Sequence, residues 1–222
     1  MTIKMNKMHT IIAAAAVLTL AACDAHIETP DMTVRPGHVL CDDGTALSYA
    51  QYKASGKQAV AVVFDTGQHD GTEGNGYAVY LWDIAPQAFA DSLGVEQGTS
   101  ADTEAFDGNA NTFALYDTQE TASPMAAAVF DLWCYGQSAY IPSVAQMRLL
   151  YAARETVNPV LELCGGDTLP ADNNGDCWYW TSTEVEGQQT AKAWLYSTGS
   201  GSMQETPKIQ AHRVRPIITL NK

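Results

Sequence analysis

Positive charge is scarce in this chain. Lys and Arg together number 12 against 25 Asp and Glu, a formal net charge of −13 at pH 7. A surface of that sign repels phosphate backbones, so nucleic acid is excluded as a partner. Long apolar runs are also missing. The stretch from Ile11 to Leu20 falls short of the ~20 residues that span a bilayer. No two cysteines stand at C-x-x-C spacing, which argues against structural zinc. There is no Gly-x-Ser-x-Gly for a serine nucleophile. The glycine-rich stretch Gly71 to Gly76 lacks the lysine of a phosphate loop. No internal repeat of solenoid length is visible.

The amino terminus carries Lys4 and Lys7 ahead of that short apolar run, the pattern of a secretory signal. Leu20-Ala21-Ala22-Cys23 matches the bacterial lipobox, a Leu and two small residues before a cysteine. Residues 1–22 are expected to be removed and Cys23 to carry the lipid. Two or more acyl chains anchor stably where one does not. Loss of residues 1–22 removes two lysines and no acids, moving the formal charge from −13 to −15. Residues 23–36, with Pro30 and Pro36 and no apolar periodicity, read as a flexible tether. The expected place is the cell envelope, as an outer-membrane lipoprotein facing either the periplasm or the exterior. Its membrane contact is made through the lipid. Residues 37–222 suit a single domain, and an apolar fraction of 46% supports a proper core.

Cys41, Cys134, Cys164 and Cys177 remain, an even number in an exported chain, with three possible disulfide connectivities. Cys164 and Cys177 bracket a loop, 165–176, whose closure would stabilise the fold by about 3 kcal/mol in a chain-entropy treatment. The alternative is buried thiols, with Cys134 beside Trp133 in a helix core.

Along the chain, His38 to Cys41 meets the turn 42–45, a hairpin signal. Ala59 to Phe64 is continuously apolar, as a buried central strand requires. Tyr77 to Trp82 reads as the next strand, and about Pro86 to Asp117 as loops with short turns. Helical spacing of apolar residues predicts a helix over Thr121 to Tyr135, stopped by Gly136. Ser143 and Gln146 form a capping box that starts a helix to about Glu155. Asn158-Pro159 predicts a further short helix to Leu163. Two strands, Cys177 to Glu184 and Ala191 to Tyr196, a Gly/Ser turn at 199–202 and a closing strand over His212 to Ile218 follow.

The order of these motifs carries a resemblance. Gly136, then Ala139-Tyr140-Ile141-Pro142-Ser143, then Gln146-Met147 with Leu149-Leu150, then Asn158, then Tyr179-Trp180-Thr181-Ser182-Thr183-Glu184, then Ala193-Trp194, then Val214-Arg215-Pro216 resemble the Lcl C-terminal domain family. That family takes its name from a bacterial collagen-like adhesin. The chain is also similar to the Fibrobacter succinogenes major paralogous domains. The match is best over 134–218 and looser over 37–82. It implies an α+β, C-type-lectin-like domain with a small antiparallel sheet, two or three helices and long loops. Formylglycine-generating enzymes and retroelement-diversified receptor proteins share that fold.

Sugar-binding lectins of the fold carry Glu-Pro-Asn or Gln-Pro-Asp and then Trp-Asn-Asp at their calcium site. None of these triplets occurs here. Asp172, Asn174 and Asp176 offer oxygens at alternate positions, but no closing glutamate follows and Cys177 stands where a calcium loop has glycine. No cofactor is expected, calcium being possible but without the lectin triplets. His212 lacks an identifiable partner for a general base. Strand alternation places Trp178, Trp180 and Ser182 on one face and Tyr179, Thr181 and Thr183 on the other. One face is expected in the core, with Trp180 and Trp194 buried, and the other is offered as a stacking surface. Tyr179, with Glu184, Glu186, Gln188 and Gln189 in the polar loop that follows, is the candidate ligand-binding set. The expectation is a non-catalytic binding or adhesion module for a protein or glycan. An enzyme on a formylglycine-generating-enzyme-like fold, or a structural subunit of a surface assembly, are the alternatives.

Overall fold

The apolar run read as a central strand becomes one. In the computed structural model, which describes residues 33–69, 74–130, 132–134, 137–172 and 175–220, Ala59–Asp65 forms β3. With β1 (Val39–Cys41), β2 (Ala46–Leu47), β4 (Tyr77–Tyr80) and β12 (Ile217–Thr219) it builds a five-stranded antiparallel sheet, in the order β12-β4-β3-β1-β2. The expected hairpin at the turn 42–45 is present as β1 and β2. The expected signal segment, the expected lipidation residue Cys23 and the expected tether up to residue 32 lie outside the described residues. The chain is tied to the sheet at Gly37, whose amide donates to the Val63 carbonyl at 2.8 Å.

A second five-stranded sheet holds β5 (Ile84–Ala88), β8 (Trp178–Glu184), β9 (Lys192–Ser197), β10 (Met203–Pro207) and β11 (Ala211–Val214), in the order β10-β9-β8-β11-β5. Its pairs are antiparallel except β8 with β11, which run parallel. A two-stranded hairpin, β6 (Trp133–Cys134) with β7 (Gln137–Ser138), completes the strands. Helices α1 (Tyr49–Ser55), α2 (Gly108–Asp117), α3 (Pro124–Phe130) and α4 (Val144–Leu163) make the fold α+β. One small sheet with two or three helices is therefore too little: the described residues form two five-stranded sheets and four α-helices.

Alternation along β3 shows how the layers form. Ala61 and Val63 point into one buried cluster, with Leu115 of α2, Met125 and Val129 of α3, and Trp180 of β8. Val62 and Phe64 point into the other, with Met147, Leu150, Val157 and Leu161 of α4, and Tyr179 of β8. Both sheets contribute to both clusters, so helices cover each face.

Several boundaries differ from the sequence reading, each for a physical reason. The closing run is not one strand. Pro216 has no N–H to continue a ladder, and the chain passes from β11 in one sheet to β12 in the other. Helix α4 does not break at Asn158. That side chain is engaged elsewhere, its amide donating to the Leu169 carbonyl at 2.8 Å and its oxygen accepting from the Leu169 amide at 2.9 Å. It cannot cap a new helix, so α4 runs through Pro159. The capping box is as expected, Ser143 Oγ accepting from the Gln146 amide and Gln146 Oε1 from the Ser143 amide. Helix α3 spans only Pro124–Phe130, and Cys134 lies on a strand rather than in a helix core. The stop at Gly136 lies outside the described residues.

The middle region is not only loops. Strand β5 sits at the sheet edge, where Pro86 is tolerated. Helix α2 is hidden from pattern reading because the residues it buries are Gly108, Asn111, Thr112 and Leu115, three of them small or polar. Gly108 has its own constraint. A Cβ there would lie 2.6 Å from the Ile141 carbonyl oxygen and 2.8 Å from the Ser143 amide nitrogen. Replacing Gly108→Ala is expected to lower stability by about 2 kcal/mol, because backbone on the opposing side has to shift. Urea unfolding measures it, and an unchanged midpoint at unchanged slope would contradict the close approach.

Candidate functional site

Strand β8 ends on Glu184, and the chain then turns over 185–191 before entering β9. The turn is closed by the Gln188 amide donating to the Val185 carbonyl at 2.9 Å, and by the Ala191 and Lys192 amides donating to the Gln188 carbonyl at 2.8 and 2.9 Å. Gly187, at φ 73°, supplies its left-handed position. Across β9, Trp194 stands opposite Glu205 of β10. The loop 101–103 closes the other side.

Together these segments line a cleft of about 550 Å³ formed by Ala101, Asp102, Thr103, Val185, Glu186, Gln189, Trp194 and Glu205. That size suits a small ligand or a side chain of a larger one. Trp194 is half-buried, so part of its indole faces the opening. Glu205 accepts from Lys192 Nζ and from Gln188 Nε2, both at 3.1 Å, and these contacts hold its carboxyl below the usual range. Asp102 Oδ1 accepts from the Glu104 amide at 2.8 Å. Arg148 of α4 reaches under the loop, donating to the Thr103 carbonyl at 3.2 Å and pairing with Glu104. A flat indole edge and three carboxylates make a lining that accepts hydrogen bonds and repels anions.

Two members of the candidate ligand-binding set are placed elsewhere. Tyr179 is fully buried, and its hydroxyl donates to Asp83 Oδ2 at 3.0 Å. Burial, reinforced by the Asp83 charge, pushes its pKa well above the ordinary tyrosine value. Glu184 is 1% exposed and ion-paired with Lys208, itself 0% exposed. Lys208 Nζ also donates to the carbonyls of Val95 at 3.2 Å and Gln189 at 2.8 Å, and lies 5.2 Å from the centre of the Phe89 ring. Burial pulls the Lys208 pKa down, with Glu184 opposing. The Gln97 amide donates to Glu184 Oε1 at 3.2 Å. Glu184 is thus no ligand contact. It holds, through Lys208, the turn that lines the cleft. Glu186 and Gln189 do face the cleft, and Gln188 steadies Glu205 behind it.

The strand alternation of β8 is as read, but neither face is a stacking surface. Trp180 and Tyr179 are both fully buried, in different clusters. Trp180 is core, its indole N–H donating to the Gln87 carbonyl at 3.0 Å. Trp194, expected to be buried, is the indole that reaches the opening. The sequence reading missed Asp102, Thr103 and Glu205. No periodic signal marks the 101–103 loop, and the short edge strand β10 carries three polar residues in succession, Gln204, Glu205 and Thr206, with no alternation to read.

The remaining candidates sit apart from the cleft. Asp172 and Asp176 are exposed, Asp176 lying 3.5 Å from Arg213, while residues 173 and 174 lie outside the described residues. Among the described residues no group of three or more His, Cys, Asp or Glu is placed to hold a metal ion. Cys41, Cys164 and Cys177 are thiols. Of the two readings weighed for Cys164 and Cys177, the structure shows the thiols: Cys177 is buried in the core, its sulfur 3.2 Å from Ser197 Oγ. The Cys134 side chain lies outside the described residues. His212 packs edge-on against Trp180 at 5.4 Å, and burial pulls its pKa down. Among the described residues no helix is long and apolar enough to cross a membrane. No family model matches the chain, and no curated protein matches it.

Two outcomes follow from these ionisations. Glu184→Gln leaves Lys208 charged without its counter-ion in the interior, and a loss of about 3–5 kcal/mol is expected in chemical denaturation. The paired replacement Glu184→Leu with Lys208→Met is expected to recover most of it. If the single variant unfolds at the wild-type midpoint, the pair does not hold the turn. His212 binds its proton less readily in the folded state than in the unfolded one. Stability is then present above the unfolded value near 6.5 and is lost as pH falls towards the lower folded value. Thermal melts between pH 7.5 and 5 are expected to show a smaller acid loss for His212→Gln than for the wild type.

Proposed function

We propose that this protein is a cell-envelope lipoprotein, anchored in the outer membrane through Cys23, whose folded part is a non-catalytic binding or adhesion module for a protein or glycan. We assign that part to the C-type-lectin-like fold of the Lcl C-terminal domain family. The layout of β8, β9 and β11, the helix opened by Ser143, and Arg215-Pro216 at the sheet crossing support the assignment.

The observation that carries the function is the cleft beside Trp194. Its lining joins an aromatic surface to the acceptors of Asp102, Glu186, Gln189 and Glu205, and includes no thiol and no imidazole. Indole faces stack on sugar rings or side chains, and carboxylates accept from the hydroxyls or ammonium groups around them. The same carboxylates select against phosphorylated or sulfated ligands. Recognition without the lectin triplets needs no calcium in this reading.

The test is a glycan and surface-protein binding screen on the full chain in detergent, with and without calcium. Binding is expected to persist in chelator. For a ligand found this way, Trp194→Ala is expected to weaken affinity by about tenfold or more while leaving the melting temperature nearly unchanged. Undiminished affinity in that variant would remove the cleft as the site. Strict calcium dependence would move the site to the 172–176 loop.

A further inference from the structure

Among the thiols, two belong to one neighbourhood that the sequence order conceals. Residues Val39 and Leu40 pair with Val62 and Ala61, and after a register shift Cys41 pairs with Ala59. Alternate strand residues share a face. Val62 is in the cluster beneath α4 and Ala59 packs against it, so Cys41 stands on the α4 side of the sheet. Cys164 is the residue that ends α4, and it packs against that same cluster. Helix α1, which packs on β1, closes the third side. Tyr49 Oη donates to the Leu163 carbonyl at 3.3 Å, and Lys53, one helical turn further on, lies near enough to Cys164 to draw its pKa down.

From this placement we infer that Cys41 and Cys164 are joined by a disulfide when the protein meets a disulfide donor, fastening the end of α4 to the first strand of the sheet. This is a different pairing from the one that loop length favours. The Cys177 sulfur lies instead beside Ser197 inside the core, at 3.2 Å from its Oγ. The electrostatics agree with the placement. Burial raises the Cys164 pKa first, the nearby Cys41 raises it further, and Lys53 draws it back.

The chemistry is a thiol–disulfide exchange. Cys164 is half-exposed and Cys41 is fully buried, so the donor meets Cys164 first. The Cys164 thiolate attacks one donor sulfur, forming a mixed disulfide and expelling the other donor sulfur as a thiol. The Cys41 thiolate then attacks Cys164 Sγ, making the internal bond and releasing the second donor thiol. The protein gives up two protons and two electrons, and the donor disulfide is reduced to two thiols. The enclosed loop is long, which is where cross-linking restrains the unfolded chain most.

The test uses the purified full chain equilibrated in oxidised or reduced glutathione, quenched with acid, digested without reductant and mapped by mass. In oxidised buffer the peptide holding Cys41 is expected joined to the peptide holding Cys164, lighter by two hydrogens than the separate pair. Cys164→Ser, at a half-exposed position, is expected to fold and to melt about 10 °C below wild type in oxidised buffer. In reduced buffer the two are expected to melt together. Recovery of Cys164 joined to Cys134 or Cys177 overturns the inference. So does alkylation of both Cys41 and Cys164 in the oxidised sample, or coincident melting of the variant and wild type in both buffers.

Discussion

One buried guanidinium sits at the crossing between the two sheets and bonds to the segments that leave them. Arg215 is 0% exposed and lies where the chain leaves β11 for β12, at the crossing between the sheets. It donates to Asp83 Oδ1 at 2.7 Å, to the Leu81 carbonyl at 3.3 Å and to the Asp167 carbonyl at 2.6 Å. Asp83 in turn accepts from Tyr179 Oη at 3.0 Å, and its amide donates to Asp167 Oδ2 at 3.0 Å. Both sheets and the segment after α4 therefore meet at this group. A planar, permanently charged fork can satisfy acceptors in several directions, which a lysine could not. Burying it is expensive, so the surrounding backbone has to hold its carbonyls in place, and that requirement fixes how the sheets approach.

Much of this was legible in the residues and some was not. The apolar run at β3, the Ser143–Gln146 capping box and the aromatic strand β8 each follow a local rule that the fold obeys. Val214-Arg215-Pro216 stood out as a motif, yet nothing local tells that its arginine is buried or that its proline marks a change of sheet. Local rules failed where tertiary contacts overrode them. Asn158 and Pro159 look like a helix start, but the Asn158 side chain is claimed by Leu169. Helix α2 buries Asn111 and Thr112 through specific hydrogen bonds, Asn111 Nδ2 donating to Asp107 at 2.8 Å and Thr112 Oγ1 accepting from the Ile141 amide at 2.9 Å, so it carries no apolar stripe.

The site was half legible. Alternation along β8 was correct, but it assumes a strand with one wet face, and β8 is covered on both. That is why Tyr179 became an internal hydrogen-bond donor and Glu184 an internal ion-pair partner. Glu186 and Gln189, beyond the strand, escaped that fate because the turn projects past the covering layers. The opposing wall, Asp102 and Thr103, is distant in sequence and set in place by Arg148. A residue's local pattern carries no record of such a partner.

The sheet crossing also sets how the molecule would bear tension. The amino-terminal segment enters at Gly37 and β1, which is bonded along both edges, to β2 and to β3. The cleft lies in the other sheet, at β9 and β10. On the proposed reading, a pull between a membrane tether and a captured ligand would run through β8 and β11 and cross near Arg215 before reaching the sheet of β1. The crossing would then bear load through a buried electrostatic clamp as well as through the two apolar clusters the sheets share.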